Sequence, residues 1–248
     1  MELRQAGREA LASLWDANAA GWISSISNRD ISPAAAAFLP DLAGQDVLDL
    51  GCGEGSFSRY LATRGARVTG LDISNNLIDR ARSLEAEKPQ GICYHVGSFQ
   101  GLDAFADASF DAAIAIMSFM CAPDFLKTAR EAFRVLRSAG TLHFLVPHPC
   151  FTTAGTFWAR DPHRSVVGRL VRDYWRTQPF YHEASTKNLR RLIFPHRLED
   201  YVNGLANAGF RITRMIEPRL PKEDGAAAPR RRHDPTVPLL LQVAAAKA

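Results

Sequence analysis

No apolar run in this sequence approaches the roughly 20 residues that a membrane helix needs, so a spanning helix is not expected. The opening stretch, MELRQAGREA, lacks the apolar core of a secretory signal, and a soluble, cytoplasmic protein is the expectation. Cysteine is scarce. Cys52, Cys93, Cys121 and Cys150 form no CxxC pair and share no Cys/His ligand spacing, so neither a metal centre nor a disulfide framework is expected and the thiols should be reduced. Internal repeats and linker-like stretches are also lacking, which argues against several domains. At 248 residues the chain is long enough for one sizeable α/β core with an insertion. The excess charge is small, +4, and arginine carries most of it. Arg230, Arg231 and Arg232 beside His233 read first as a solvated loop, with nucleic-acid binding the weaker alternative.

What the sequence does contain is concentrated between Val47 and Asp72, VLDLGCGEGSFSRYLATRGARVTGLD. Val47–Leu50 has the length and composition of a buried strand. Phe57, Tyr60 and Leu61 suit one face of a helix, and Arg67–Leu71 suits a second strand. This is a βαβ unit. Gly51, Gly53 and Gly55 occupy the turn out of the first strand, where a missing Cβ permits tight turning and close approach to a ligand, beside a helix N-terminus. A dinucleotide fingerprint would continue to a sixth-position glycine, but Ser56 stands there, which weakens a nicotinamide reading. Asp72 ends the second strand about twenty residues past the first glycine, where a carboxylate can accept both hydroxyls of a ribose.

The ordered set Asp49, Gly51, Gly53, Gly55 and then Asp72 resembles motif I and the following acidic position of class I S-adenosylmethionine-dependent methyltransferases. Farther on, AREAFRVLRSAGTLHFLVPHPCF is similar to the helix, turn and strand of type 11 methyltransferases such as those of quinone biosynthesis. The resemblance runs from about residue 10 to residue 151. It implies a Rossmann-like α/β sheet of seven strands whose last strand is antiparallel and inserts between the fifth and sixth. One methyltransferase domain would then comprise an N-terminal helical cap (1–45), a cofactor-binding core (46–151), a substrate lid (152–195) and a C-terminal helix with a strand pair (196–248). S-adenosylmethionine would be the cofactor, held by Trp22, Asp49, Gly51, Cys52, Gly53, Gly55, Asp72, Ile73, Ser98, Phe99 and Met117. Trp22 belongs to the aromatic segment WDANAAGWI, which is similar to one that closes over the cofactor. Ser98 stands where the family commonly carries an aspartate for the adenine amino group.

Helical spacing is also present at residues 4–22, from Ser32-Pro33 to Pro40, from Ser74, over 124–137 and from His196 to Ala208. Strands are expected at 92–96, 110–117, 141–146, 210–217 and 238–246. The fourth strand ends in Ser118-Phe119-Met120, without the [DN]PP[FY] motif that anchors a nucleobase amine and without a carboxylate that would help chelate magnesium and a diol. A small organic acceptor is the better expectation. Residues 152–194 break the strand–helix rhythm and are rich in aromatics, arginine and histidine; long irregular segments of this kind commonly form lids. Candidate acceptor contacts are Trp22, Phe119, His148, Phe151, Tyr174, Trp175 and Tyr181.

Displacement at a sulfonium methyl asks mainly for alignment and exclusion of water. Should the acceptor need to lose a proton, His148, held between Pro147 and Pro149 after the fifth strand, is the first candidate base, with His182 and Tyr181 as alternatives. Three rival functions stand beside small-molecule methylation: an RNA methyltransferase, an NAD(P)-dependent oxidoreductase and a non-catalytic S-adenosylmethionine-binding protein. Acceptor identity, methylated atom and homo-oligomeric state are left open by the sequence.

Overall fold

The computed structural model describes residues 7–26, 36, 38–163, 165–183, 190–219 and 237–247. The helix expected from Ser32-Pro33 and the Arg230–Arg232 cluster lie outside the described residues. Seven strands form the central sheet: β1 (Asp46–Leu50), β2 (Arg67–Asp72), β3 (Cys93–Val96), β4 (Phe110–Ile116), β5 (Leu136–Pro147), β10 (Phe210–Ile216) and β11 (Leu240–Lys247), in the spatial order β10-β11-β5-β4-β1-β2-β3. The pairs β1/β2, β1/β4, β2/β3 and β4/β5 are parallel. The final strand β11 runs antiparallel to both β5 and β10, between which it inserts, as the resemblance implied.

Burial on both faces explains why the central strands read as nearly continuous apolar runs. In β1 the period of two sends Leu48 and Leu50 into one core and Val47 into the other. The first core lies under helices α4 (Phe125–Val135) and α5 (Leu198–Ala208), through Phe125, Ala129, Tyr201 and Leu205. The second lies under α2 (Ser56–Ala62) and α3 (Asn75–Glu87), through Phe57, Leu61, Ile78 and Ala81. Ser74 caps α3 by accepting from the Leu77 N–H at 3.2 Å, and Asp124 caps α4 by accepting from Lys127 at 3.0 Å. At the N-terminal edge of the sheet, Asp46 accepts from Arg67 at 2.6 Å and from Arg137 at 3.0 Å, while Arg137 also meets Asp111 at 2.7 Å. These pairs fasten the strand starts and leave the opposite, C-terminal edge for ligands.

Two segments cover that edge. Helix α1 (Arg8–Ile26) precedes the sheet. Between β5 and α5, where no strand rhythm was visible, stand two antiparallel hairpins, β6 (Phe157–Arg160) with β7 (Val166–Leu170), and β8 (Phe180–Glu183) with β9 (Arg190–Ile193). Their strands are four or five residues long and mix arginine with aromatics, so alternation never becomes long enough to register. The two covers touch each other: Leu11 of α1 packs with Leu192 and Phe194, and the Asn18 side chain accepts from the Arg190 N–H at 3.1 Å.

A short 3-10 turn, Phe119–Cys121, follows β4 and drives Phe119 into an aromatic cluster. Its ring centroid lies 5.4 Å from Phe144 and 5.8 Å from each of Phe99 and Phe125, and the residue has no exposed surface. Phe119 is therefore a core residue and makes no acceptor contact, contrary to the expectation from its place after β4. Its removal should leave a cavity in packing too tight to collapse. Phe119→Ala is expected to lower unfolding stability by about 3–5 kcal/mol, read from the shift of the denaturant midpoint.

Candidate active site

At the C-terminal end of β1 the chain turns on glycines in the left-handed region, with φ of 78° at Gly51, 60° at Gly53 and 83° at Gly55. Only glycine adopts this conformation at little cost. A Cβ on Gly51 would stand 2.5 Å from the Ser118 Cβ, and one on Gly53 would stand 3.3 Å from the Trp22 indole nitrogen. Gly55 has a different task. A Cβ there would collide with the Tyr94 hydroxyl at 2.3 Å, so this glycine serves the packing of α2 on β3.

The Asp72 carboxylate holds the turn in place. One oxygen accepts from the Gly53 N–H at 2.9 Å and the other from the Ser74 N–H at 2.9 Å, tying the glycine loop to the start of α3. Burial raises the Asp72 pKa, and these N–H donors act in the opposite direction. Asp16 on α1 adds a second tie from above: it accepts from the Ser74 hydroxyl at 2.6 Å and from the Asn76 N–H at 3.0 Å. Trp15 and Trp22 flank Asp16 on α1, edge to face at 6.2 Å, and both line the cleft beneath.

This first cleft spans ≈ 690 Å³. It brings together Trp22, Gly51, Gly53, Asp72, Ile73, Ser98, Phe99 and Met117 of the expected cofactor set. Asp49, Cys52 and Gly55 do not line it. Asp49 is buried behind the turn, where it accepts from the Ser58 hydroxyl at 2.6 Å, and the Cys52 thiol is buried with its pKa raised, first by desolvation and then by the Asp49 and Asp72 charges. The cleft also contains Trp15, Gln100, Ser118 and Cys121, which the sequence reading passed over. Trp15 carried a usable signal, since it opens the aromatic segment that Trp22 closes. Ser118 did not: its hydroxyl donates to the Leu50 carbonyl at 2.6 Å across the β1/β4 pair, a contact visible only after folding.

The donor set suits S-adenosylmethionine. Glycines without side chains leave room at the turn, Asp72 offers acceptor lone pairs for ribose hydroxyls, Ile73 and Phe99 offer apolar faces, and aromatic rings on α1 suit a sulfonium cation.

A second cleft, ≈ 1210 Å³, lies under the two hairpins and meets the first at Met117, which lines both. Met117 directly follows β4 with φ of 57°, uncommon for a residue with a long side chain, and its N–H donates to the Leu145 carbonyl at 2.8 Å. Tyr174, Tyr181 and His182 line this second cleft. The His182 ring reaches the surface, yet enclosure by protein lowers its pKa first and the Arg191 guanidinium, 3.5 Å from Nδ1, lowers it further.

Three expected site residues stand elsewhere. His148 is 2% exposed and lines neither cleft; its Nε2 is 2.7 Å from the Glu217 carboxylate, and its Nδ1 accepts from the Cys150 N–H at 3.1 Å. With both ring nitrogens engaged in this way, His148 fastens the end of β5 and has no lone pair to offer as a base. Burial lowers its pKa, and Glu217 opposes that in part. Phe151 lies against the His148 ring at 4.8 Å and does not line either cleft. Trp175 is 72% exposed, with the Arg197 guanidinium 5.6 Å over its ring, and is outside the second cleft.

A glycine turn after β1, a buried acid ending β2 and a cleft across both, on a sheet of this strand order, form an arrangement shared with S-adenosylmethionine-dependent methyltransferases of known structure. More narrowly, residues 48–144, which hold the glycine turn, the acid and the sheet side of the cleft, match the family described as "Methyltransferase domain". Among curated proteins the chain is 33% identical over 148 residues to 27-O-demethylrifamycin SV methyltransferase of Amycolatopsis mediterranei, covering 57% of this chain and 54% of that protein. It is 37% identical over 102 residues to ubiquinone biosynthesis O-methyltransferase of Xanthomonas oryzae, covering 41% of this chain and 43% of that one. The matched parts thus span about half the length of these relatives. Among solved structures, an S-adenosylmethionine dependent methyltransferase from Mesorhizobium loti superposes with a TM-score of 0.70 at 27% identity, over 87% of this chain and 96% of that one.

The buried Asp49 gives the site a pH signature. Desolvation above all raises its pKa to about 7, with the Ser58 hydrogen bond opposing and the Asp72 charge adding. Because the folded value lies above the unfolded one, the native state binds the extra proton. Stability from this group is complete below about pH 4 and is lost as pH rises to about 7. Asp49→Asn keeps an acceptor for Ser58 without the charge, so the variant should gain on the parent chain between pH 5 and pH 8 in urea unfolding. An unchanged difference across that range would contradict an elevated Asp49 pKa.

Proposed function

We propose that the protein transfers the methyl group of S-adenosylmethionine to an oxygen of a small organic acceptor lodged in the second cleft. One observation carries this reading: the two clefts meet at Met117, beyond the C-terminal end of β4. Cofactor and acceptor would thereby face each other at the edge where parallel sheets bind ligands. The O-methyltransferases named among the relatives support oxygen as the accepting atom. Their names also support a metabolite of secondary or quinone type as the acceptor.

S-adenosylmethionine, when bound, supplies a methyl group on a sulfonium, already an excellent leaving group. The chain's own residues then have to bind, orient and exclude water. Asp72 would hold the ribose, and the Gly51 and Gly53 backbone would approach the methionine part. Trp15 and Trp22 would cover the cofactor from α1, with α1 anchored through Asp16. On the acceptor side, Tyr174 and Tyr181 would wall the substrate. If the oxygen must lose a proton, His182, one of two histidines lining the second cleft with His196, is the candidate kept from the sequence, with Tyr181 beside it. Its lowered pKa keeps the imidazole neutral, the form that accepts a proton, but makes it a modest base.

Two expected outcomes test this reading. Asp72→Ala should weaken S-adenosylmethionine and S-adenosylhomocysteine alike by about tenfold or more, the worth of a charge-assisted hydrogen bond, in calorimetric titration. Unchanged affinity in a folded variant would sink the cofactor assignment. In turnover with a metabolite set and labelled cofactor, Tyr181→Ala should raise the acceptor KM severalfold with cofactor affinity kept, whereas Trp175→Ala should change neither. Equal effects of the two substitutions on acceptor KM would remove the second cleft from consideration as the acceptor site.

A further inference from the structure

The second cleft is unevenly charged. Among the described residues Arg169, Arg176 and Arg191 line it, against one carboxylate, Asp173. Elsewhere the arginines that support the fold have acids: Arg59 meets Glu54, Arg134 meets Glu131 and Arg197 meets Asp200, all within 3.0 Å. Arg169 differs. Half-buried on β7, it donates from Nε to the Phe151 carbonyl at 3.0 Å and from Nη2 to the Thr156 hydroxyl at 3.2 Å, and its guanidinium lies 4.5 Å over the Trp158 ring. No carboxylate among the described residues forms an ion pair with it, and enclosure lowers its pKa, opposed by no acid.

A half-buried guanidinium held by a carbonyl, a hydroxyl and an aromatic face is fixed in orientation while its charge is left uncompensated. The Nη1 donors remain for a ligand, and a planar fork suits a planar anion. Arg176 stands on the same cleft with its Nε donating to the Gln178 carbonyl at 3.0 Å. The wall between is aromatic, formed by Tyr174, Phe180 and Tyr181.

We propose that the acceptor is a carboxylate-bearing aromatic or apolar molecule whose anionic group is read by Arg169, with Arg176 adding to the field at the mouth. The proposal rests on reading the second cleft as the acceptor site and adds the charge class of what enters it. Arg169 thereby sets specificity without touching the transferred methyl group. Arginine rather than lysine is required for the full effect, because the ring contact and the paired donors both depend on the planar group.

The test is equilibrium binding to the full chain in excess S-adenosylhomocysteine, followed by intrinsic fluorescence, with matched probes: benzoate against benzamide, cinnamate against cinnamamide, and phenyl phosphate. At least one acid should bind about tenfold more tightly than its amide. Arg169→Gln should abolish that preference, Arg169→Lys should keep part of it, and amide and S-adenosylhomocysteine affinities should stay at the parent level in both, which also reports an intact fold. Equal binding of acids and amides, no detectable acid binding, or a preference that survives Arg169→Gln would each overturn the proposal. So would phenyl phosphate binding well above benzoate, since the anion read would then be a phosphate. Failure of the parent chain to bind S-adenosylhomocysteine would instead defeat the methyltransferase reading, and the acid–amide comparison would still be made on the chain alone.

Discussion

The buried carboxylate of Asp72 is the constraint on which the site depends. It is fixed at the end of β2 by the parallel pairing of that strand between β1 and β3, and it orders two other segments by accepting one backbone N–H from each. Through Gly53 it sets the turn after β1; through Ser74 it sets the start of α3. Burying a carboxylate is costly unless its oxygens are hydrogen-bonded, and those two donors meet that requirement while leaving lone pairs on the cleft side. Ser74 then passes the order upward, since its hydroxyl donates to Asp16 and so anchors α1 over the same cleft.

The covers on the two clefts are coupled by packing, which bears on how the site closes. Leu11 and Asn18 of α1 meet Leu192, Phe194 and Arg190 of the insertion, and the Phe194 N–H donates to the Met120 carbonyl at 2.9 Å, in the turn that follows Met117. A shift of α1 on cofactor entry would therefore be felt at the hairpins and at the junction of the clefts. Fastened ends surround this arrangement: His148 with Glu217 on one side, and the Asp46, Arg67, Arg137 and Asp111 pairs at the opposite edge of the sheet. The two covers that touch each other are thus carried on one edge of a sheet fastened at the other.

The charge pattern divides along the same line. Arginines of the core pair with acids and contribute to structure. Arg169, Arg176 and Arg191 of the insertion line a cleft with Tyr174, Phe180 and Tyr181 in its wall, where a guanidinium is less screened than on the open surface. The sheet and its glycine turn thus line the first cleft together with α1, and the insertion lines the second.

The sequence alone determined the sheet, because strands buried on both faces leave unbroken apolar runs and glycines with positive φ leave an unmistakable turn. Gly51, Gly53 and Asp72 were legible for that reason, as was the antiparallel last strand through the family resemblance. Tertiary structure decided the rest. Asp49 belongs to the motif but faces Ser58 behind the turn, a direction set by strand pleat and not by spacing. Gly55 is required by the Tyr94 hydroxyl, a residue 39 positions away in the chain. His148, Phe119, Phe151 and Trp175 are chemically plausible in a list of residue types, yet burial or exposure removes them from the clefts. The hairpins were invisible because short, half-exposed strands carry no long period. Contact across distant segments, absent from any local pattern, selected which aromatics and which arginines line the clefts.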